Sequence, residues 1–161
     1  MHALTELIRS AYAPHASHGL RYWGTHQTAE DTAKRFASGT GLVLLDGDRY
    51  VGTITLRAPQ PESVVSLYRD PGVWTLCQFC VSPAARGLGY GRLLHEHACD
   101  LARAAGATTM ALDTAQPATG LIAMYESWDY RQVGECDWRP LTNYTSVVMS
   151  RTLAGRVDIK A

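Results

Sequence analysis

Apolar positions along the first fifty residues change period once. Leu4, Leu7, Ile8, Ala11 and Tyr12 share one helical stripe, and Pro14 is expected to end that helix. A second helix is predicted to open at Thr28, where Thr28-Ala-Glu-Asp31 has the form of a capping box, and to stop near Gly39. The period then drops to two. Residues 41–45 and 50–56 read as strands joined through Asp46-Gly47-Asp48, a hairpin signal.

A polar, proline-bearing loop over residues 58–72 leads into an apolar strand, 73–81, and then a glycine-rich turn. The helix after it runs to about Ala105, with Leu94, Ala98, Leu101 and Ala105 on its expected buried face. Residues 108–113 read as a short buried strand. Pro117 suits the first turn of another helix, on which Leu121, Met124, Tyr125 and Trp128 share a stripe. Residues 131–138 and 144–152 form a closing antiparallel pair. The layout is α/β, an α+β mixture in one domain over 1–161: a hairpin, one strand–turn–helix–strand unit, then a second hairpin.

Composition narrows the classes. The chain is 46% hydrophobic and 19% charged, as a globular domain is, and its 15 acidic and 15 basic residues balance. No overall field would hold a polyanion, so nucleic acid is not an expected partner. No apolar run has membrane-spanning length and the first residues lack a signal-peptide core, so no membrane partner is expected either. Four irregularly placed cysteines, Cys77, Cys80, Cys99 and Cys136, read as free thiols in a reducing, cytoplasmic setting. In a regular strand Cys77 and Cys80 point to opposite faces and cannot share a metal. His95-Glu-His97 lacks the spacing near four of a helical ligand pair, and His97, three residues from Leu94, is expected to pack. No metal is expected.

The chemistry concentrates in Val81-Ser-Pro-Ala-Ala-Arg-Gly-Leu-Gly-Tyr-Gly-Arg92. Three glycines in five positions between a strand and a helix free successive backbone amides to point into one concavity. The helix start adds unpaired donors and the positive end of its dipole, and Arg86 and Arg92 flank the turn with guanidinium groups. Such a turn suits a pyrophosphate. A dinucleotide fold would want G-x-G-x-x-G, whereas Gly87-Leu-Gly89-Tyr-Gly91 is spaced G-x-G-x-G; Asp113 lies where a ribose-binding acid could sit, but the two hairpins oppose repeated βαβ units. No Gly-Lys-Ser/Thr follows to make a P-loop.

Arg86-Gly-Leu-Gly89-Tyr-Gly91 resembles the Q/R-x-x-G-x-G/A signature of the GNAT N-acetyltransferases, and Val81-Ser-Pro precedes it as that family's V-x-P does. The order of elements from the second helix onward is similar too, so the resemblance covers nearly the whole chain. It implies a central mixed, mostly antiparallel sheet flanked by helices, and acetyl-CoA as co-substrate. By the resemblance, Gln78, Phe79, Cys80 and Val81 of the central strand bond the pantetheine arm, where that strand splays from the one opened after Thr108. Arg86, Gly87, Leu88, Gly89, Tyr90, Gly91 and Arg92 form the pyrophosphate turn, with amides carrying most of the contact. Ala123-Met-Tyr125-Glu-Ser-Trp-Asp-Tyr130 looks like the family's A-x-x-L-Y-E-x-x-G-F segment, which makes Tyr125 the acid that protonates the departing thiolate. Three departures stand out: Asp129 replaces a glycine, Ala118 replaces an asparagine that helps grip pantetheine, and no strand is predicted before the first helix. An uncovered sheet edge invites pairing with a second copy, so a homodimer is an expectation.

The reaction implied is direct attack by a primary amine, of a small molecule or a peptide, with no covalent enzyme intermediate. An alkyl amine of pKa near 10.4 is neutral in only about one molecule in 2,500 at pH 7, so the nucleophile costs roughly 4–5 kcal/mol to recover. Gln78 faces the acceptor but cannot take a proton; Glu30, Asp31, Glu126 and Asp129 are alternative bases, and a water chain is the default. The acceptor pocket is expected between the first two helices, loop 58–72 and the last hairpin, with Tyr12, Tyr22, Trp23, Tyr68 and Tyr144 lining it. A silent CoA-binding module and a nucleotide-dependent oxidoreductase are the rival readings.

Overall fold

Four helices and six strands alternate in the computed structural model, which describes residues 1–153; residues 154–161 of the expected 1–161 domain lie outside the described residues. In chain order they are α1 (His2–Ser17), α2 (Ala29–Ala37), β1 (Thr40–Asp46), β2 (Arg49–Arg57), β3 (Val73–Val81), α3 (Tyr90–Ala104), β4 (Thr109–Ala115), α4 (Thr119–Glu126), β5 (Arg131–Asp137) and β6 (Thr145–Thr152). Among the described residues no strand precedes α1. The strands form one sheet in the order β1-β2-β3-β4-β6-β5, in which β3 and β4 are the one parallel pair. That mixed, mostly antiparallel sheet agrees with the expected class, and its single parallel pair rules out a repeated βαβ dinucleotide fold.

One face of the sheet packs against α3 and α4 around Ile54, Leu76, Ala98, Met110 and Tyr125. On the other, Leu4, Leu7, Ile8 and Ala11 of α1 close over Cys80. Pro14 does not end α1. The stop is a Schellman closure five residues on: Gly19, at φ +78°, donates to Ala16 O and Leu20 donates to His15 O. The capping box of α2 is present, with the Asp31 amide donating to Thr28 Oγ1 and the Thr28 amide donating to Asp31 Oδ2.

β3 is irregular where it matters. Thr55 pairs with Cys77 and Thr53 with Cys80, so β3 carries one extra residue there, and Gln78 takes φ +50°. The bulge reverses the alternation: Cys77 and Cys80 lie opposite two threonines of one β2 face and so share a face, contrary to the reading for a regular strand. Gln78 is held by its amide. Gln27 Nε2 donates to Gln78 Oε1 (2.7 Å), and Gln78 Nε2 donates to Thr55 Oγ1 (3.4 Å). Pairing of β3 with β4 lasts from Val73/Thr109 to Thr75/Ala111, after which the two strands part.

Two further expectations are corrected on the remaining helices. The buried stripe of α3 is Leu94, His95, Ala98, Cys99 and Ala102; Leu101 is exposed, Ala105 lies past the end, and His97 faces solvent. α4 begins at Thr119, so Pro117 precedes its N-cap Ala118 instead of occupying the first turn. Asp129 sits at φ +67°, which accounts for the glycine it replaces in the resemblance, since aspartate is among the few side chains that adopt left-handed backbone.

His95 is fully buried, its Nε2 2.7 Å from Tyr130 Oη and its Nδ1 3.4 Å from Glu96 Oε1, which Arg151 of β6 also contacts. His95, Glu96 and Cys99 make the one cluster of three metal-ligating groups among the described residues, and hydrogen bonds already occupy it. Burial holds the imidazole neutral and lowers its pKa from 6.5 to about 4. The unfolded chain therefore takes up a proton below pH 6.5 that the folded one refuses until about pH 4. Its stabilising contribution is complete above 6.5 and is lost as pH falls. Between pH 7 and pH 5 this group removes on the order of 2 kcal/mol. Denaturant titrations at the two pH values are expected to show a smaller loss for His95→Gln than for the parent.

Candidate active site

The parting of β3 from β4 opens the middle of the sheet, and two cavities meet there. The larger, about 580 Å³, runs from the glycine turn past Phe79, Cys80 and Val81 to α4; the smaller, about 240 Å³, lies towards α2, loop 58–72 and the last hairpin. Four residues line both: Tyr12, Phe79, Asp113 and Tyr125. Tyr12 Oη donates to Phe79 O (3.1 Å), so α1 is tied to the free edge of β3 at the junction.

The turn has the geometry that its glycines suggest. Gly87 and Gly89 adopt φ +79° and +80°, a Cβ on either would meet no atom within 4 Å, and Gly89 is the N-cap of α3. The amides of residues 87–92 donate to no protein acceptor among the described residues. Six successive free donors at a helix start make a ready anion cradle, and the turn fits a pyrophosphate. Gly87, Gly89, Tyr90, Gly91 and Arg92 line the larger cavity. Leu88 does not line it and is exposed. Arg86 lines it but is also a strut, since its Nη2 donates to Ala11 O of α1 (2.7 Å). Gln78 lies on the smaller cavity, not the larger one, with its amide engaged as described.

Tyr125 reaches the junction from α4. It is buried, and its hydroxyl makes no hydrogen bond among the described residues. Burial, with smaller contributions from Tyr22 and Asp113, pushes its pKa above the ordinary phenol value, so it is a proton donor throughout the neutral range. Burial likewise pushes the Cys80 and Cys99 thiols up to about 12, where neither is a nucleophile.

Sequence reasoning missed the carboxylate of this site. Asp113, considered there only as a ribose ligand, accepts from Tyr68 Oη at 2.8 Å and from Trp138 Nε1 at 2.7 Å. Desolvation raises its pKa above the usual carboxylate range against those two bonds. The signal was available: a lone acid among apolar neighbours in Met110-Ala-Leu-Asp113 needs partners once buried. The four acids that were named lie elsewhere. Glu30 pairs with Lys34, Asp31 caps α2, and Glu126 and Asp129 are exposed. Tyr12, Trp23, Tyr68 and Tyr144 line the smaller cavity as expected, while Tyr22 lines the larger and meets Thr114 Oγ1 at 2.9 Å.

Comparison with known proteins places this geometry. A family model described as the acetyltransferase (GNAT) family matches residues 1–130. The chain is 30% identical over 139 residues to the S-(2-succino)cysteine N-acetyltransferase of Bacillus subtilis (strain 168), covering 83% of this chain and 80% of that one. Among solved structures, PH1933 from Pyrococcus horikoshii OT3 superposes with a TM-score of 0.69 at 22% identity, over 94% and 91% of the two chains. A Bacillus subtilis acetyltransferase in complex with CoA gives 0.62 at 14% identity, over 79% and 85%.

The residues of the turn differ in how far the fold itself uses them. Arg92 has no hydrogen-bond or ion-pair partner among the described residues, so Arg92→Ala is expected to weaken acetyl-CoA binding about tenfold with an unchanged melting temperature. Arg86→Ala frees the Ala11 carbonyl and should lower both. Gly89→Val should also lower both, because a β-branched residue at φ +80° costs on the order of 1–2 kcal/mol before any ligand arrives. Calorimetric titration beside thermal melts reads the two effects apart.

Proposed function

We propose that this chain, which belongs to the GNAT acetyltransferase family, carries an acetyl group from acetyl-CoA directly to the amine of a small-molecule acceptor. The observation that carries the reading is the meeting of two cavities at one unbonded, protonated phenol, that of Tyr125. The larger cavity, with its free amides, suits acetyl-CoA as co-substrate; the smaller suits the acceptor. At about 240 Å³ the latter is less than half the size of the larger cavity, which favours a small molecule over a polypeptide segment. The name of the Bacillus subtilis relative, an acetyltransferase of a modified amino acid, points the same way.

Each protein group then has one task. The amine nitrogen forms its bond to the acetyl carbon while the carbon–sulfur bond breaks. Tyr125 gives its proton to the departing sulfur, which the surrounding apolar wall solvates poorly. Asp113 faces the incoming ammonium as a buried carboxylate of raised pKa and accepts its first proton, directly or through one water; the second proton, lost as the amide forms, passes through water to the Tyr125 oxygen and restores the phenol. No thiol takes part, so no acyl-enzyme forms.

Tyr125→Phe keeps the ring that packs on Trp128 and Tyr130 and removes the donor. Its kcat is expected to fall roughly 10²-fold at unchanged stability and acetyl-CoA affinity. Parental turnover over pH 6 to 9, with chemistry limiting, would make Tyr125 a core residue only.

Asp113→Asn separates function from folding in the opposite sense. Because the folded-state pKa of Asp113 is raised, its charged form opposes folding above that pKa, so the neutral amide should melt no lower at pH 7. Acetyl transfer is expected to fall by roughly 10² or more in kcat/KM. An equal loss of stability and activity would assign Asp113 to the scaffold.

A further inference from the structure

The smaller cavity carries charge that the protein itself leaves unbalanced. Arg35 of α2 and Arg57 at the end of β2 line it, and neither has a carboxylate within ion-pair distance among the described residues. Arg35 uses one of its five N–H donors, Nη1 to Gln27 Oε1 (2.6 Å), and its Nε is buried with no hydrogen-bond partner among the described residues. Arg57 uses only Nε, on Ser38 Oγ (2.7 Å). A buried donor left unpaired costs stability, and a guanidinium fork presents the geometry that a carboxylate fits.

Arg35 is also held in place. Its guanidinium lies 4.7 Å from the Trp23 ring centroid, and Gln27, fully buried, bonds Gln78 of the bulge and Thr32 of α2. The arginine is therefore fixed by the same network that holds the bulge, before any ligand enters. The one acid lining this cavity, Asp113, has its oxygens engaged by Tyr68 and Trp138.

Two cations with spare donors and one acid beside the reacting phenol define a polarity. We infer that the acceptor is an amino acid bearing an additional carboxylate, bound with its amine towards Asp113 and Tyr125 and its side-chain carboxylate on Arg35 and Arg57. This assignment rests on the acetyl-transfer reading for the position of the amine, but the anion site itself is a property of the two arginines. The ammonium faces Asp113 and offsets the adjoining α-carboxylate there, while the arginines would repel a polyamine. Simple alkyl amines leave the guanidinium groups without an anion and polycations are repelled by them, so both are disfavoured at the same wall.

The test uses matched acceptors on the full chain in the presence of CoA or acetyl-CoA. S-carboxymethylcysteine and glutamate supply the extra carboxylate; S-ethylcysteine and norvaline lack it. Binding is read by calorimetry and turnover by loss of the thioester. The carboxylated members are expected to exceed their partners by roughly 10- to 100-fold in both readouts, with Arg57→Gln removing most of that preference. Arg57 is the first choice because its one bond, to Ser38, is exposed, whereas Arg35→Gln also disturbs the network under the bulge. Equal use of both members of each pair, or a preference that Arg57→Gln leaves intact, would overturn the inference. Arg57-dependent binding of the carboxylated compounds without turnover would uphold the anion site and sink the acetyl-transfer reading instead.

Discussion

Everything in the site depends on two parallel strands that stop pairing. β3 and β4 share a register for only three residue pairs, and beyond Thr75 and Ala111 the edge of β3 has no neighbour. Backbone polar groups left unpaired in an interior are costly, so the gap must be lined by something that bonds them. Tyr12 supplies one partner from α1, at Phe79 O. Into the same opening come Asp113 from β4 and Tyr125 from α4. A sheet that stayed closed would bury these three side chains apart, and a sheet split along its whole length would lose the core beneath α3.

The bulge at Gln78 is the second half of that constraint. A non-glycine residue at φ +50° costs on the order of 1–2 kcal/mol, and hydrogen bonds from its neighbours offset this. Gln27, Thr55 and Thr32 hold the amide, and through Gln27 the same network reaches Arg35. Strain in the strand, the position of α2 and a charged wall of the smaller cavity are therefore one coupled arrangement. A change at Gln27 or Thr32 would be felt in the cavity without either residue touching an acceptor.

What could be read from the sequence was local. The glycine turn, the Thr28 capping box and the Asp46–Asp48 hairpin each state their geometry within a few residues, and the element order followed from changes of period. The bulge carries no such signature, since glutamine has no preference for left-handed backbone, and so the faces of Cys77 and Cys80 were misassigned. Pro14 reads as a stop because a proline removes one helical donor, yet the closing signal is Gly19, five residues later. On α3 the stripe was placed through Leu101, while the residues that face the core include His95, whose partners Glu96 and Tyr130 make a buried imidazole tolerable. Asp113 escaped for the same reason: its role depends on Tyr68 and Trp138, which are 45 and 25 residues away in the chain.

Burial moves the protons of this site in one direction. Tyr12, Tyr68, Tyr125 and Asp113 all lie above their ordinary pKa values with desolvation as the leading cause, so the junction favours neutral groups. An ammonium entering it loses water and is pushed towards the free amine, which is the form that reacts. The two arginines push it further by like-charge repulsion, while the Asp113 carboxylate holds it at the junction until the proton passes. An acceptor carrying its own carboxylate reconciles these demands, because its negative end satisfies the guanidinium groups and draws the molecule in. The positive wall is then neutralised by the acceptor itself, and the dry surroundings of the junction still favour loss of the proton. On the proposed reading, recognition rests on the two arginines and activation of the amine on Asp113 and its dry surroundings, within a single small cavity.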